Sequence, residues 1–188
     1  LLLAAGAAVD QATTNGITPL FLASHQGHLA CVQLLSCYGA SRGNVDGDGS
    51  SRIERNASMR GHGDVCTWLE QSRLWTPLHH LEQLTPTQMR QLLRDGADPR
   101  AKPSPDVPSP LQRAWQLPTT PVVQMLLQAA QSWSPANHDL FPHSTRVRAW
   151  ELLRLGVLLS RSPRFEGEAG SFVDVWLCYV MPHVLSRS

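Results

Sequence analysis

The sequence predicts an all-α fold in which helix-turn-helix hairpins stack into a solenoid that ends in a C-terminal helical cap. Two observations support this prediction. Helix-start signals led by threonine or serine recur along the chain, and two pairs of them are spaced by 33 residues. Each signal precedes a short segment with apolar residues on one helical face. A single short hairpin cannot bury that face, so we expect neighbouring hairpins to stack into one continuous core.

The clearest copy of the repeated unit spans residues 16–41. Its first helix begins at Thr18-Pro19, because a hydroxyl caps free backbone N–H groups and proline fits the first helical position. Gly27 ends this helix. A second, apolar helix is expected from Leu29 to Leu35, with Cys37 lying just beyond its end.

Further copies along the chain match the repeated pattern to different degrees. Thr76-Pro77-Leu78-His79 is a second clean start, and Ser109-Pro110-Leu111 follows it by 33 residues. Thr85 can cap the outer helix of its copy, with Pro86 in the first turn. The predicted copies are a partial one near 1–10, then 16–41, 49–73, 74–98 and 109–132.

These features together resemble the ankyrin repeat, whose usual pattern is G-x-T-P-L-H-x-A-x-x-G-H, an apolar helix, and then G-A-D. Gly16 to His28 contains most of this pattern, Gly61-His62 repeats the glycine–histidine pair, and Gly96-Ala97-Asp98 repeats the final motif. The resemblance implies that residues 1–132 form an ankyrin-repeat array. It also implies that the ring of His28 bonds neighbouring backbone and that His79 is structural.

A proline-rich segment interrupts the array. Residues 99–110 contain five prolines, which forbid a regular helix. Because the repeat resumes in phase at Ser109, we expect an extended loop at the position of an ankyrin finger. A flexible linker is the alternative interpretation.

Residues 133–188 do not fit the repeat and form a separate C-terminal segment. One helix is expected after Phe141-Pro142 and extends to about Ser160. A last helix, capped by Ser171, is expected from Phe172 to about Val180 and should be buried, since apolar residues nearly surround it. We interpret both helices as a cap. The alternative is a docking segment, as in ankyrin proteins whose C-terminal box recruits a ubiquitin ligase.

Composition limits the classes of partner and the cellular compartment. Lys and Arg number 16 against 15 for Asp and Glu, so a net charge of +1 favours neither nucleic acid nor a membrane surface. No apolar run reaches the roughly 18 residues that span a bilayer. Four cysteines without disulfide spacing indicate free thiols, hence the cytosol or nucleus. The start at Leu1, without methionine, indicates a fragment, and we expect a monomer.

Two patterns could hold a metal ion, but the repeat explains both. His25, His28, Cys31 and Cys37 have zinc-ligand residue types, yet one hairpin would hold them apart. Asp46 to Ser50 resembles the start of a calcium loop, but the required turn glycine and bidentate glutamate are missing. No phosphate loop or catalytic motif is present. We therefore expect no enzyme activity, no cofactor and no metal.

In the ankyrin family, partners usually bind the concave face, which is formed by the fingers and the first helix of each hairpin. The resemblance therefore implies a protein-protein interaction scaffold, with an adaptor role through the C-terminal helices as the alternative. The positions that carry over as candidate partner-binding residues are Ala12, Thr14, Asn15, Ile17, His25, Gln26, Asp48, Met59, Arg60, Lys102, Asp106 and Gln116.

Overall fold

The computed structural model describes residues 3–43, 51–165 and 168–185. Within these ranges the chain forms helices and turns and contains no β-strand, which confirms the all-α prediction. The chain divides into two compact units. Unit 1 comprises Leu1–Leu84 with Pro103–Val107, and unit 2 comprises Thr85–Lys102 with Pro108–Ser188. The predicted boundary between residues 132 and 133 falls inside unit 2 and stays a prediction.

Unit 1 contains two helical hairpins. Its helices are α1 (Pro19–His25), α2 (Leu29–Cys37), α3 (Arg52–Met59) and α4 (Gly63–Gln71), with 3₁₀ turns at Leu3–Ala5 and Pro77–His79.

Unit 2 contains the remaining helices. They are α5 (Pro86–Arg94), α6 (Pro110–Ala114), α7 (Pro121–Ala129), α8 (His143–Ser160), α9 (Ala169–Val175) and α10 (Met181–Val184). A π-helical turn at Trp176–Val180 joins α9 to α10, and 3₁₀ turns lie at His138–Leu140 and Pro163–Phe165.

Hydroxyl caps begin the helices at the predicted positions. The Thr18 hydroxyl accepts a hydrogen bond from the Phe21 N–H at 3.3 Å. Ser51, Thr85 and Ser109 each form a capping box, in which the residue three positions later reaches back to the cap. These local signals explain why the helix starts could be read from the sequence.

The two hairpins of unit 1 share one hydrophobic core. α1 packs against α2, α3 packs against α4, and α1 also packs against α3. Side chains from both hairpins are buried together, so neither hairpin encloses its apolar face alone. The buried cluster contains Leu20, Ala23, Val32, Ala40, Ile53, Ala57, Val65 and Leu69.

The predicted copy at 74–98 begins with a 3₁₀ turn rather than an α-helix. Thr76 starts it, and the ring of the buried His79 accepts a hydrogen bond at Nδ1 from the Thr76 N–H at 3.0 Å. His79 is therefore structural, as expected. Gly27 and Gly61 reverse the chain after α1 and α3 with positive φ angles. The copy at 74–98 has no glycine at this point, and residues 81–83 form turns instead.

One buried cluster of unit 2 lies between the long helix α8 and the C-terminal end of the described chain. Trp133, Phe141, Ala149, Met181 and Leu185 are buried together. α5 packs against α7, and it also contacts the His138–Leu140 turn. The segment after α7 is thus an integral part of this unit.

Several expected details were wrong. Cys37 is the buried last residue of α2, because α2 continues two residues past Leu35. The last helix begins at Ala169, so Ser171 lies inside the helix and does not cap it. Val175 and Tyr179 are exposed, so the last helix is not buried on all sides.

The proline-rich segment forms a loop without a helix before Pro110. At its base, the Leu111 N–H donates to the Pro99 carbonyl at 2.9 Å. Both Pro99 and Pro110 are buried in unit 2. Prolines with fixed φ angles are compatible with such turns, which explains how a segment without a helix can still be ordered.

Candidate protein-binding surface

The first finger is a closed turn that directly precedes α1. The Thr13 N–H donates to the Ile17 carbonyl at 3.0 Å, and the Gly16 N–H donates to the Thr13 carbonyl at 2.9 Å. Gly16 has a φ of 72°, which a glycine adopts without strain. The tip residues Thr14 and Asn15 are exposed, and Ile17 is half-buried. Ala12, just before the turn, is also exposed.

Two hydrogen bonds join the end of α1 to the second hairpin. The His25 ring and the Asn56 side chain meet at 3.0 Å between Nδ1 and Oδ1. The His62 ring donates from Nε2 to the His25 carbonyl at 3.1 Å. His62 therefore makes the backbone bond that the family resemblance implies for the glycine–histidine pair, while His28 is exposed.

The exposed side chains of α1 and α3 form what we term the inner-helix surface. It combines apolar, polar and basic groups, and the Met59 side chain is 87% exposed. His25 is half-buried, and the other members are exposed. The surface comprises Leu22, His25, Gln26, Arg52, Arg55, Met59 and Arg60.

The inner-helix surface is basic. Arg52, Arg55 and Arg60 contribute three guanidinium groups, and the guanidinium carbon of Arg52 lies 5.2 Å from the centre of the Phe21 ring. The acidic residue of α3, Glu54, is buried on the other side of the helix. Its carboxylate accepts hydrogen bonds from the Ser51 N–H at 2.7 Å and from Arg73 Nη2 at 2.9 Å, so it adds little negative charge to this surface.

The predicted partner-binding residues do not form one surface. Ala12, Thr14, Asn15 and Ile17 belong to the first finger. His25, Gln26, Met59 and Arg60 lie together on the inner-helix surface. Lys102 and Gln116 are exposed in unit 2, and Asp106 is exposed in the 103–107 loop. Asp48 lies outside the described residues, as does the calcium-like segment 46–50.

Sequence reasoning missed three members of the inner-helix surface, Leu22, Arg52 and Arg55. Helical periodicity could have found them. Arg55 and Arg52 precede Met59 by four and seven residues, and Leu22 precedes Gln26 by four, so each shares a helical face with a predicted residue.

The zinc-like residues of the first repeat are separated by the fold. Cys37 is buried, while His28 and Cys31 are exposed. Burial raises the pKa of the Cys37 thiol to about 11, which disfavours the thiolate that a metal would require. Among the described residues, no three or more His, Cys, Asp or Glu side chains come together as a metal site.

Comparison with known families identifies the repeat. The ankyrin-repeat family model matches residues 15–47, which include most of the first finger and the whole of α1 and α2. Residues 15–47 form an ankyrin repeat. No curated protein and no solved structure matches the chain. No helix within the described residues is long and apolar enough to cross a membrane. Ankyrin repeats are protein–protein interaction modules, so the expected partner class is protein.

Proposed function

We propose that this ankyrin-repeat protein is a non-enzymatic scaffold that binds a partner protein through the inner-helix surface. The observation that carries the proposal is the exposure of Met59 among three arginines on one helix face. Methionine and arginine are enriched at protein interfaces relative to the remaining surface. The first finger, with Thr14 and Asn15 at its tip, extends the proposed contact area.

The apolar groups of the surface supply the proposed affinity. Fully burying a methionine side chain contributes about 1.5–3 kcal/mol through the hydrophobic effect. Methionine is unbranched and flexible, so Met59 can fit partners of different shape. Leu22 on α1 adds a second exposed apolar side chain.

The basic groups supply the proposed selectivity. Because Arg52 and Arg60 are positive and exposed, the partner segment is expected to be acidic. Exposed charge pairs mainly raise the association rate and are screened by salt. Binding should therefore weaken as ionic strength rises, and the weakening should be smaller in Arg60→Gln.

Affinity capture with quantitative mass spectrometry tests this function. The protein is immobilised and exposed to extract, beside the variants Gln26→Glu, Met59→Glu, Arg60→Glu and His25→Glu. We expect that all four variants capture a smaller amount of at least one protein that wild type captures. Circular dichroism of each variant establishes that the helices are intact, which matters most for His25 because its ring bonds Asn56. Equal capture by folded variants would overturn the proposal.

Location and oligomeric state are also proposals. Cys31, Cys37, Cys66 and Cys178 are free thiols, which supports a reducing compartment such as the cytosol or nucleus. We propose a monomer, and sedimentation equilibrium tests this directly.

An adaptor role is the second candidate function. In this role the C-terminal helices would recruit a larger assembly, for example a ubiquitin ligase, to the bound protein. The favouring observation is that α8 exposes Trp150, Leu155 and Leu158 instead of burying them.

A further inference from the structure

The C-terminal part of unit 2 contains an apolar cleft of about 220 Å³. It lies between α8 and the last helix and is closed on one side by the segment that precedes α8. His138 is the one ionisable side chain among its lining residues, which are Trp133, Pro135, His138, Ala149, Trp150, Leu153, Leu177 and Met181.

An exposed apolar stripe runs along α8 from this cleft. Val147, Trp150, Leu155 and Leu158 are all exposed on one side of α8. The exposed charged residues Glu151 and Arg154 lie between them on the same side. Trp150, which is 66% exposed, belongs to both the stripe and the cleft. From residue 147 to residue 158 the stripe is about 16 Å long at 1.5 Å per residue. The opposite face of α8 already supplies the core of unit 2, so the fold does not need the stripe.

The charged residues of α8 are mostly basic. α8 contains Arg146, Arg148 and Arg154 but a single acidic residue, Glu151. Beside the cleft, the Asp139 carboxylate forms ion pairs with Arg90 and Arg94. This pairing compensates the charge of Asp139, so the arginines leave an excess of positive charge.

His138 at the cleft wall favours its neutral form. Burial lowers the pKa of its imidazole, and the nearby Arg146 lowers this pKa further, while Asp139 opposes both effects. The Trp133 indole N–H donates to His138 Nδ1 at 3.1 Å, so the neutral ring carries its hydrogen on Nε2. The wall is therefore suited to contact an apolar side chain.

We infer that the cleft and the stripe form a docking site for an amphipathic helix of a partner protein, with acidic residues flanking its apolar face. A single large apolar side chain of this helix enters the cleft beside Trp150. Its further apolar residues contact Leu155 and Leu158 at helical spacing, and its carboxylates lie near the α8 arginines. The site shares no residue with the inner-helix surface, so it is independent of the proposed scaffold function. It uses the same α8 residues as the adaptor role and specifies the kind of partner for that role.

Two synthetic peptides probe this site on the full chain. Each is an amphipathic helix of about 18 residues with leucine on one face, and the other positions are glutamate in one peptide and lysine in the other. Fluorescence anisotropy of a labelled peptide measures the affinity. We expect the glutamate peptide to bind at least about ten-fold more tightly than the lysine peptide. Equal affinities would overturn the inference.

Matched variants localise the binding. Trp150→Ala and Leu158→Gln should each weaken the glutamate peptide about ten-fold. Trp115, which is 68% exposed in the same unit but does not line the cleft, provides the control Trp115→Ala, with unchanged affinity. If both site variants are folded and bind the glutamate peptide as tightly as wild type, the peptide does not bind at the proposed site. Urea denaturation establishes that each variant is folded.

A second matched pair tests the role of charge. Arg154→Gln on α8 and Gln124→Glu on α7 both lower the net charge by one. Only Arg154→Gln should weaken the binding of the glutamate peptide, by about three-fold, because an exposed charge contributes less than a buried anchor. Equal weakening by both variants would mean that net charge alone attracts the peptide, which contradicts a local site.

Two other occupants of the stripe are distinguished by direct measurement. If sedimentation equilibrium shows self-association that Trp150→Ala abolishes, the occupant is a second copy of this chain. If phosphatidylserine vesicles bind the protein and Trp150→Ala prevents this, the occupant is a membrane surface. Either result overturns the docking of a partner helix.

Discussion

At the scale of single residues, Gly27 and Gly16 allow backbone strain to be distinguished from a steric clash. Both have a φ of 72°, so a side chain is strained at either position. A Cβ atom at Gly27 would also lie 2.4 Å from Nδ1 of His62, whereas nothing lies within 4 Å of one at Gly16. The two positions therefore share the backbone cost but not the steric one.

We predict that Gly27→Ala destabilises the protein more than Gly16→Ala. The left-handed backbone costs alanine about 1–2 kcal/mol at either position, and the clash with His62 adds about 1 kcal/mol or more at Gly27. Urea denaturation of both variants gives the two losses in the free energy of unfolding. Equal losses would mean that the contact between the repeats through His62 is unimportant.

The ion pairs of Asp139 give a pH-dependent prediction. Burial alone would raise the pKa of this carboxyl, but the hydrogen bond and charge of Arg94, together with Arg90 and Arg146, lower it below its ordinary value. The stabilisation is therefore present above the unfolded pKa of about 3.9 and is lost as the pH falls through the folded pKa.

Asp139→Asn should accordingly lower the free energy of unfolding by about 0.5–1 kcal/mol at pH 7, since a half-exposed ion pair is screened by water. The difference from wild type should shrink as the pH falls below about 4. Urea titrations at several pH values measure it, with Asp174→Asn in the exposed part of α9 as the control. A difference that stays constant down to pH 3 would contradict this account.

Residue roles could be predicted where the partner is close in sequence. Thr18, Thr85 and Ser109 cap the helix that directly follows, so their motifs are sufficient. Arg42 shows the opposite case. Its guanidinium donates to the Leu69 carbonyl at 2.7 Å and to the Ser72 hydroxyl at 2.8 Å, 27 and 30 residues away. No local pattern specifies such a contact, because it exists only after the hairpins have stacked.

At the scale of the elements, the contact between α8 and the last helix depends on Gly156. Trp176 donates its indole N–H to the Leu152 carbonyl of α8 at 2.9 Å. A Cβ atom at Gly156 would come within 2.6 Å of the Trp176 ring. A glycine inside a helix is normally unfavourable, and its presence here is explained by this close packing.

Gly156→Ala is predicted to destabilise unit 2 although alanine favours helix by about 1 kcal/mol. Moving the indole should cost about 1–3 kcal/mol and break its hydrogen bond to Leu152. Gly170→Ala in α9 is the matched control, because a Cβ atom there meets nothing within 4 Å, and it should be neutral or stabilising. Tryptophan fluorescence during urea unfolding measures the free energy of unfolding of both variants. A stabilised Gly156→Ala variant would contradict the packing described here.

Helix boundaries were predictable where capping signals are strong and failed where they are weak. α8 begins at His143 and ends at Ser160, close to the expected range. The last helix begins two residues before its expected cap, and Glu168 at this position makes no side-chain cap bond. It then continues through a π turn to Val184, beyond the expected end near Val180.

At the scale of the whole molecule, the C-terminal segment supports our proposal of a cap through its contacts inside unit 2. The Asn137 side chain donates to the Gln128 carbonyl at 3.2 Å, next to the end of α7. Trp133, Phe141 and Met181 are buried in one cluster. These contacts cover apolar surface that would otherwise face water, as terminal repeats require.

Truncation after Ser134 tests the cap. Removing the segment exposes the apolar partners of Phe141 and Met181, so we expect the shortened protein to aggregate or to unfold at lower urea concentration. Size-exclusion chromatography and urea denaturation check this outcome. A soluble, equally stable truncated protein would contradict the cap and favour a docking segment.

The central claim is that a partner protein binds at the inner-helix surface. Measuring the dissociation constant of this partner tests the claim most directly. Met59→Glu on α3 and Thr67→Glu on the outer helix α4 each add one negative charge at an exposed helical position. For the partner recovered by affinity capture, calorimetry should show that Met59→Glu weakens binding about ten-fold or more, corresponding to about 1.4 kcal/mol. Thr67→Glu should leave the affinity within about two-fold of wild type. If the two variants bind equally well, or if Thr67→Glu is the weaker, the partner does not bind at the inner-helix surface.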